Sequence, residues 1–293
     1  MAQETSSPSQ TAGELLNRAI QSQGYRRNLD AKFHFETFLL GKKILGHGTY
    51  QEEKQNYPQC SLRFEITYQL SDLQTAKTIL LLDGENQKLW MNQNLLLLEE
   101  VEPQKADDSR YYQIDLEKVQ RFQKETATTA TERLVPPWYG QRSLENILWG
   151  VQKHFDFYMA GRTSLPPMQA SQTEDIPVFY LAGKWKKEVL GKLLASRERD
   201  SSRQFFSKEL NMLLTDEIPT EIRLYLDQKT YFPLRVEYLR TNAQGDAIPV
   251  MRLRFYDIYY NVRFTPRQFE FQPPQFTRVD DVTEAFLKSG KWK

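Results

Sequence analysis

Residues 60–70, with the sequence CSLRFEITYQL, decide the fold class because their side chains alternate strictly between apolar and polar. The even positions are apolar and include Phe64 and Ile66, whereas the odd positions are polar and include Arg63 and Glu65. Successive side chains of a β-strand point to opposite faces of its sheet. The stretch therefore predicts a strand of an antiparallel sheet that has one buried face and one solvated face.

The segment that follows, AKTILLLDGENQKLWMN at 76–92, predicts a hairpin. Asp83 and Gly84 tolerate the positive φ that a tight turn between two strands requires. The apolar runs at 79–82 and 95–98 do not alternate, which is typical of strands covered on both faces. We expect the core of the sheet to cover one face and helices or a ligand to cover the other.

Two amphipathic helices are predicted, one before and one after these strands in the sequence. Thr11 and Glu14 have the T-x-x-E spacing of a capping box, which predicts a helix over 11–23. Ser143 can cap a second helix over 143–157. The second helix carries an apolar stripe at helical spacing, formed by Leu144, Ile147, Leu148, Val151 and Phe155. Such a stripe is typical of plain core packing and is also compatible with a ligand cradle.

The order of these elements along the chain predicts the architecture. Nine to eleven strand-length runs occur without a persistent β-α-β alternation, which favours an antiparallel sheet. We predict a mainly β (α+β) fold, in which a single curved antiparallel sheet carries both helices on its concave side. Residues 1–10 are predicted to be a disordered tail, and residues 11–293 are predicted to form a single domain.

The composition excludes several classes of function. Of the 293 residues, 40% are apolar and 26% are charged, which is typical of a globular protein. The formal net charge of +1 gives no basis for nucleic-acid binding. The three histidines lack metal-ligand spacing, no catalytic motif is present, and Cys60 falls on the apolar side of its strand. We therefore expect no enzymatic activity, no metal and no cofactor.

The start of the chain, MAQETSSPSQTAGE, is polar and lacks the layout of a signal peptide. It is typical of a mature secreted protein that begins just after a removed leader, with Met1 added. This interpretation places the protein in the periplasm or cell envelope. The alternative is a cytoplasmic protein with a frayed N-terminus.

Several motifs, taken in order, resemble one known family. They are AKFHFETFLLG at 31–41, LDGENQKLWMN at 82–92, VFYLAGKW at 178–185, YLDQKTYFPLRVEYLR at 225–240, FEFQPP at 269–274 and DVTEAF at 281–286. Together they make the chain similar to the LolA/LolB-like periplasmic lipoprotein-carrier superfamily, and especially to its longer, divergent members of the planctomycete type. The resemblance covers most of the chain, although each motif alone has low specificity.

The resemblance implies an incomplete, strongly curved antiparallel barrel whose open side is plugged by helices. Members of the family carry lipid or the acyl chains of lipoproteins in that hollow. The expected partners of a monomeric carrier are therefore a lipid or acylated lipoprotein and a membrane-bound donor or acceptor protein. The alternative is an envelope stress-sensing or scaffold module on the same fold, which transports no lipid.

Two features of the family are left open by the residues of this chain. In the family, an arginine of the sheet holds the lid helix by bonding to its backbone. Four strand arginines are candidates here, namely Arg63, Arg235, Arg252 and Arg254, and the sequence does not choose among them. The chain is also longer than the short carriers, with predicted insertions at 99–140 and 160–220 that have no assigned role.

The candidate ligand-binding residues are those whose strand parity or helical stripe can face the hollow. The strand residues are Phe64, Ile66, Leu80, Leu82, Trp90, Phe179, Leu181, Leu234, Val236, Leu253 and Phe255. The helix residues are Leu144, Ile147, Leu148 and Val151. Two outcomes are open: the hollow holds an acyl chain, or the helices fill it as a packed core.

Overall fold

A computed structural model defines the architecture over most of the chain. The structure describes residues 10–39, 42–54, 60–71, 74–92, 111–125, 143–168, 173–191, 219–241, 245–273 and 277–288. The predicted tail, apart from residue 10, and the apolar run 95–98 lie outside these ranges, so neither expectation is tested.

All strands of the described residues join one sheet. In chain order they are β1 (Asn28–Leu39), β2 (Lys42–Lys54), β3 (Cys60–Ser71), β4 (Gln74–Asp83), β5 (Lys88–Asn92), β6 (Tyr111–Asp115), β7 (Phe155–Leu165), β8 (Ile176–Trp185), β9 (Glu221–Asp227), β10 (Pro233–Thr241), β11 (Ala247–Tyr260) and β12 (Val279–Asp281). Their order across the sheet is β12-β6-β5-β4-β3-β2-β1-β11-β10-β9-β8-β7. The sheet is curved and not closed, which confirms the predicted fold class of a mainly β incomplete barrel.

The helices whose bounds the structure describes in full are α1 (Ala12–Gly24), α2 (Leu116–Glu125), α3 (Leu144–His154) and α4 (Thr283–Lys288). The capping box of α1 is confirmed, since the Thr11 hydroxyl accepts from the Glu14 backbone N–H and the Glu14 carboxylate accepts from the Thr11 N–H. The cap of α3 is also confirmed, because the Ser143 hydroxyl accepts from the Asn146 N–H. Helices α1 and α3 pack against each other.

The alternation of β3 positions the inner face of the sheet as predicted. Leu62 and Ile66 are buried on the inner side, and Phe64 stacks on Phe33 with ring centroids 4.9 Å apart. Gly48 of β2 makes room for this pair. A Cβ at Gly48 would lie 1.9 Å from the backbone oxygen of Glu65 and 2.5 Å from the Phe33 ring, so only glycine fits.

The hairpin between β4 and β5 is confirmed, but its positive φ is not where the sequence placed it. Gln87, and neither Asp83 nor Gly84, has the positive φ, at 51°. The Asp83 carboxylate instead accepts hydrogen bonds from the Glu85 and Asn86 N–H groups. Gly84 is required by close approach, because a Cβ there would lie 2.6 Å from the Cys60 backbone oxygen.

On the outer face of the sheet, the apolar run 79–82 lies beside the C-terminal segment of the chain. Leu81 is buried and pairs across the strands with Trp90, so the two residues share the outer face. Trp90 stacks on Phe271 of the C-terminal segment with ring centroids 4.4 Å apart. The same segment is tied to β3 where Arg63 donates to the Gln268 carbonyl at 2.9 Å.

Two sequence expectations are corrected. The predicted helix 143–157 ends at His154, and Phe155 begins β7 by pairing with Trp185. The short strand β12 pairs with β6 in parallel, so the sheet is not antiparallel throughout. The described residues of the predicted insertions at 99–140 and 160–220 include β6, α2, the second half of β7, and β8.

Candidate functional site

An apolar hollow lies between the inner face of the sheet and helix α3. Its walls come from β1 to β5 and from β9 to β11, and α3 contributes Leu144, Ile147, Leu148 and Val151. Thr78 and Asn92 are the non-aromatic polar residues in this lining. A concave site with apolar walls and few polar groups is the usual form of a small-molecule site, so we treat the hollow as the candidate site.

Ten of the fifteen predicted ligand-binding residues border this hollow. They are Phe64, Ile66, Leu80, Leu144, Ile147, Leu148, Val151, Val236, Leu253 and Phe255. The structure therefore brings together strand and helix residues that lie far apart in the sequence. Lining residues that sequence analysis missed include Phe35, Tyr50 and Tyr68, which follow the same strand parity as their predicted neighbours.

The other five predicted residues lie elsewhere. Leu82, Phe179 and Leu181 are buried in the core and do not border the hollow. Trp90 points to the outer face, because it pairs with Leu81 and its neighbour Met91 takes the inner position. Leu234 borders a different pocket near β11. The inward parity assigned to Trp90 is therefore wrong.

The hollow is small as it stands, with a cavity volume of about 100 Å³. A cavity of about 150 Å³ is the size that holds one benzene molecule. The side chains of α3 line the hollow opposite the sheet, and Leu148 is only 1% exposed. A long apolar ligand can therefore enter only if α3 moves away from the sheet.

The start of α3 is attached to β2 through a buried carboxylate. The Leu144 N–H donates to Glu52 Oε2 at 2.9 Å, and the Tyr50 hydroxyl donates to the same oxygen at 2.5 Å. Lys54 Nζ lies 3.5 Å from Glu52 Oε1 and 3.2 Å from Glu145 Oε2. A negative charge at a helix N-terminus is favourable, because the first N–H groups of a helix lack partners within it.

The same cluster reaches the end of α1. Lys54 Nζ donates to the Gln23 carbonyl at 2.7 Å, close to the C-terminus of α1, where a positive charge is favourable. We call Tyr50, Glu52, Lys54 and Glu145 the Glu52 cluster. It joins β2 to both helices beside the hollow, so a change in its charge affects how firmly α3 is held.

Burial raises the pKa of Glu52 above its ordinary value of 4.5. The charge of Lys54 and the hydrogen bonds from Leu144 and Tyr50 act in the opposite direction and offset burial only in part. Burial and the neighbouring Glu52 also raise the pKa of Tyr50 well above its usual range, so the phenol stays protonated and donates. Burial therefore favours the protonated form of the Glu52 carboxyl.

The expectation of an arginine that holds the lid helix finds no support in the described residues. Arg63 donates to Glu65 and the Gln268 carbonyl, and Arg235 and Arg252 both pair with Glu237. Arg254 donates to the Pro166 carbonyl. The residue of the sheet that bonds to the α3 backbone is Glu52, whose carboxylate accepts from the Leu144 N–H. In the sequence, the signal for this residue is a carboxylate on the same strand face as Tyr50.

One polar group in the wall of the hollow stands out. The hydroxyl of Thr78 is buried and has no hydrogen-bond partner within the described part of the chain. Asn92, beside it, is satisfied by accepting from the Ile79 N–H at 2.5 Å. A buried polar group without a partner costs about 1–3 kcal/mol, and a ligand oxygen or a water can supply the missing bond.

The described residues contain no cluster of three or more His, Cys, Asp or Glu side chains that could hold a metal ion. Cys60 is buried, as predicted. His34 stacks on Tyr256, and burial followed by the charges of His47 and Arg254 lowers its pKa.

Among the described helices, none has the length and apolar character needed to cross a bilayer.

Comparison with known proteins finds similarity at the level of structure. No protein-family model and no curated protein matches the chain. Similar solved structures include the MucA/MucB complex of Pseudomonas aeruginosa, at 12% identity over 89% of this chain and 61% of that one, with a TM-score of 0.40. The chain thus spans less than two thirds of that matched chain.

Two further structures cover nearly all of their own chains. LprF from Mycobacterium bovis is 8% identical over 88% of this chain and 97% of that one, with a TM-score of 0.38. A LolA superfamily protein from Nitrosomonas europaea is 10% identical over 90% and 99%, with a TM-score of 0.30. At such scores and identities, the function has to be argued from the residues of the chain itself.

Proposed function

We propose that this chain is a non-enzymatic cell-envelope protein that binds lipid or lipoprotein acyl chains in the hollow beneath α3. The observation that carries the proposal is the hollow itself, which has apolar walls, a buried Thr78 hydroxyl without a partner among the described residues, and a helix as its cover. A carrier to the outer membrane is the specific role we propose, with a membrane-bound donor or acceptor protein as partner.

The energetics permit an acyl chain to replace α3. Undocking α3 exposes Leu144, Leu148 and Val151, each of which is worth about 1.5–3 kcal/mol when buried. An acyl chain gains about 0.8 kcal/mol per buried CH₂, so a chain of about 15 such groups recovers roughly 12 kcal/mol. The gain is larger than the apolar cost, provided that the Glu52 cluster releases the start of α3.

The second candidate is an envelope stress-sensing or scaffold module that binds no lipid. The volume of about 100 Å³ favours this candidate, because the interior is close to a packed core when α3 is docked. The two candidates differ in whether α3 leaves the sheet when an apolar ligand is present.

Native mass spectrometry of the full chain, purified without detergent from the periplasm of a Gram-negative host, tests the proposal. We expect a co-purifying acyl species that organic extraction releases. Val236→Phe, which fills the hollow from β10, is the matched variant and is expected to carry none. A wild-type protein that has no bound lipid and does not bind palmitate at saturation would favour the scaffold module.

A further inference from the structure

A second pocket lies on the sheet where the end of β7 and the start of β8 approach β11. It has a volume of about 300 Å³, at the lower end of the range for ligand pockets. Its apolar wall is formed by Leu165, Ile176, Leu234 and Phe255. Phe255 also borders the hollow, so the two sites are neighbours on the sheet.

The polar wall of this pocket contains Arg254. Its guanidinium is half-buried and donates to the Pro166 carbonyl. The pocket also contains Asp257, but Lys32 Nζ lies 3.0 Å from that carboxylate and neutralises it. Among the described residues, no carboxylate forms an ion pair with Arg254. The pocket therefore combines apolar walls with an unmatched positive charge.

The neighbouring strands do not supply the missing anion. Arg235 pairs with Glu237, and Arg252 pairs with Glu237 at 2.6 Å and with Glu36 at 3.3 Å. Lys43 also pairs with Glu36 at 3.1 Å. Glu237 and Glu36 are thus each shared by two cations. Burial, followed by the charges of Arg235 and Arg252, lowers the pKa of Arg254, so an added anion would relieve an unfavourable field.

We propose that this pocket, the Arg254 pocket, binds the carboxylate of a medium-chain amphiphile. The guanidinium of Arg254 forms paired hydrogen bonds to the carboxylate, which is the geometry that arginine favours. The alkyl chain lies against Leu165, Ile176 and Leu234. The site is distinct from the hollow beneath α3 and does not depend on movement of that helix.

Isothermal titration of the full chain with octanoate tests this site, with octanol and acetate as comparison ligands. We expect octanoate to bind more tightly than either, because octanol lacks the charge and acetate lacks the chain. Arg254→Met is expected to weaken octanoate binding by at least about tenfold, the loss expected for a hydrogen bond to a charged group. Arg121→Met, on the exposed surface of α2, is the control and should bind like the wild type.

Val236→Phe separates the two sites, because Val236 borders the hollow and not the Arg254 pocket. We expect octanoate binding to persist in this variant and to be lost in Arg254→Met, with thermal melts showing that both variants fold. Unchanged octanoate affinity in folded Arg254→Met would overturn the proposal. Loss of binding in Val236→Phe with retention in Arg254→Met would place octanoate in the hollow and would also overturn it. Binding of acetate as tight as that of octanoate would rule out the amphiphile.

Discussion

Leu148→Asp is expected to abolish binding of a fluorescent fatty acid while most of the sheet stays folded. Leu148 is 1% exposed and borders the hollow, and a buried charge without a partner costs about 3–5 kcal/mol. If α3 is a separable cover, the helix avoids this cost by leaving the sheet, and it can then no longer close over a bound acyl chain. We expect affinity to fall at least about 100-fold, equivalent to about 2.7 kcal/mol. Fluorescence titration beside circular dichroism measures both effects.

Trp149→Asp provides the control, because it introduces the same charge one residue along the same helix. Trp149 is 56% exposed and points away from the hollow, so we expect neither binding nor folding to change. Global unfolding of Leu148→Asp, with loss of the β-sheet signal, would instead mean that α3 is an inseparable part of a filled core. That outcome would favour the scaffold module.

Glu52→Ala is expected to loosen α3 and to lower the free energy of unfolding. The substitution leaves the Leu144 N–H and the Tyr50 hydroxyl without their acceptor, at about 1–3 kcal/mol for each buried group. Amide hydrogen exchange should accelerate at the start of α3 more than in β3. Glu53→Ala, the next residue on the opposite strand face, is the control. Unchanged exchange in α3 would show that the Glu52 cluster does not hold the helix.

The raised pKa of Glu52 makes the stability gained from attaching α3 to β2 depend on pH. Between its ordinary pKa of 4.5 and the raised value, the folded state binds more protons than the unfolded state. The free energy of unfolding of the wild type should therefore fall relative to that of Glu52→Gln as the pH rises through this window. Urea denaturation of both proteins at several pH values measures the difference. A difference that changes in the opposite direction would mean that the ion pair with Lys54 outweighs burial.

Local patterns in the sequence were sufficient for much of the fold. The alternation in β3, the caps of α1 and α3, and the hairpin between β4 and β5 each depend on residues within one short segment. The end of α3 was misplaced for a related reason. Phe155 continues the apolar stripe of the helix, but its pairing with Trp185, 30 residues away, makes it the first residue of β7.

Contacts between distant segments could not be predicted from these patterns. The outer face of β5 is covered by Phe271, so Trp90 had no nearby partner in the sequence to reveal its direction. Glu52 bonds to Leu144, 92 residues further along the chain. Strand alternation places Glu52 on the inner face of β2. The sequence did not show that the N-terminus of α3 lies beside it and needs an acceptor there.

Photo-crosslinking with palmitate that carries a diazirine at its terminal carbon tests most directly whether the hollow beneath α3 holds an acyl chain. Irradiation of the full chain followed by mass spectrometry locates the labelled residues. We expect labels on the inner positions of β3 and β4, such as Phe64 and Leu80, and on α3 between Leu144 and Val151, with strong reduction in Val236→Phe. Labels confined to the outer face of the sheet, or no label at saturating palmitate, would contradict the account.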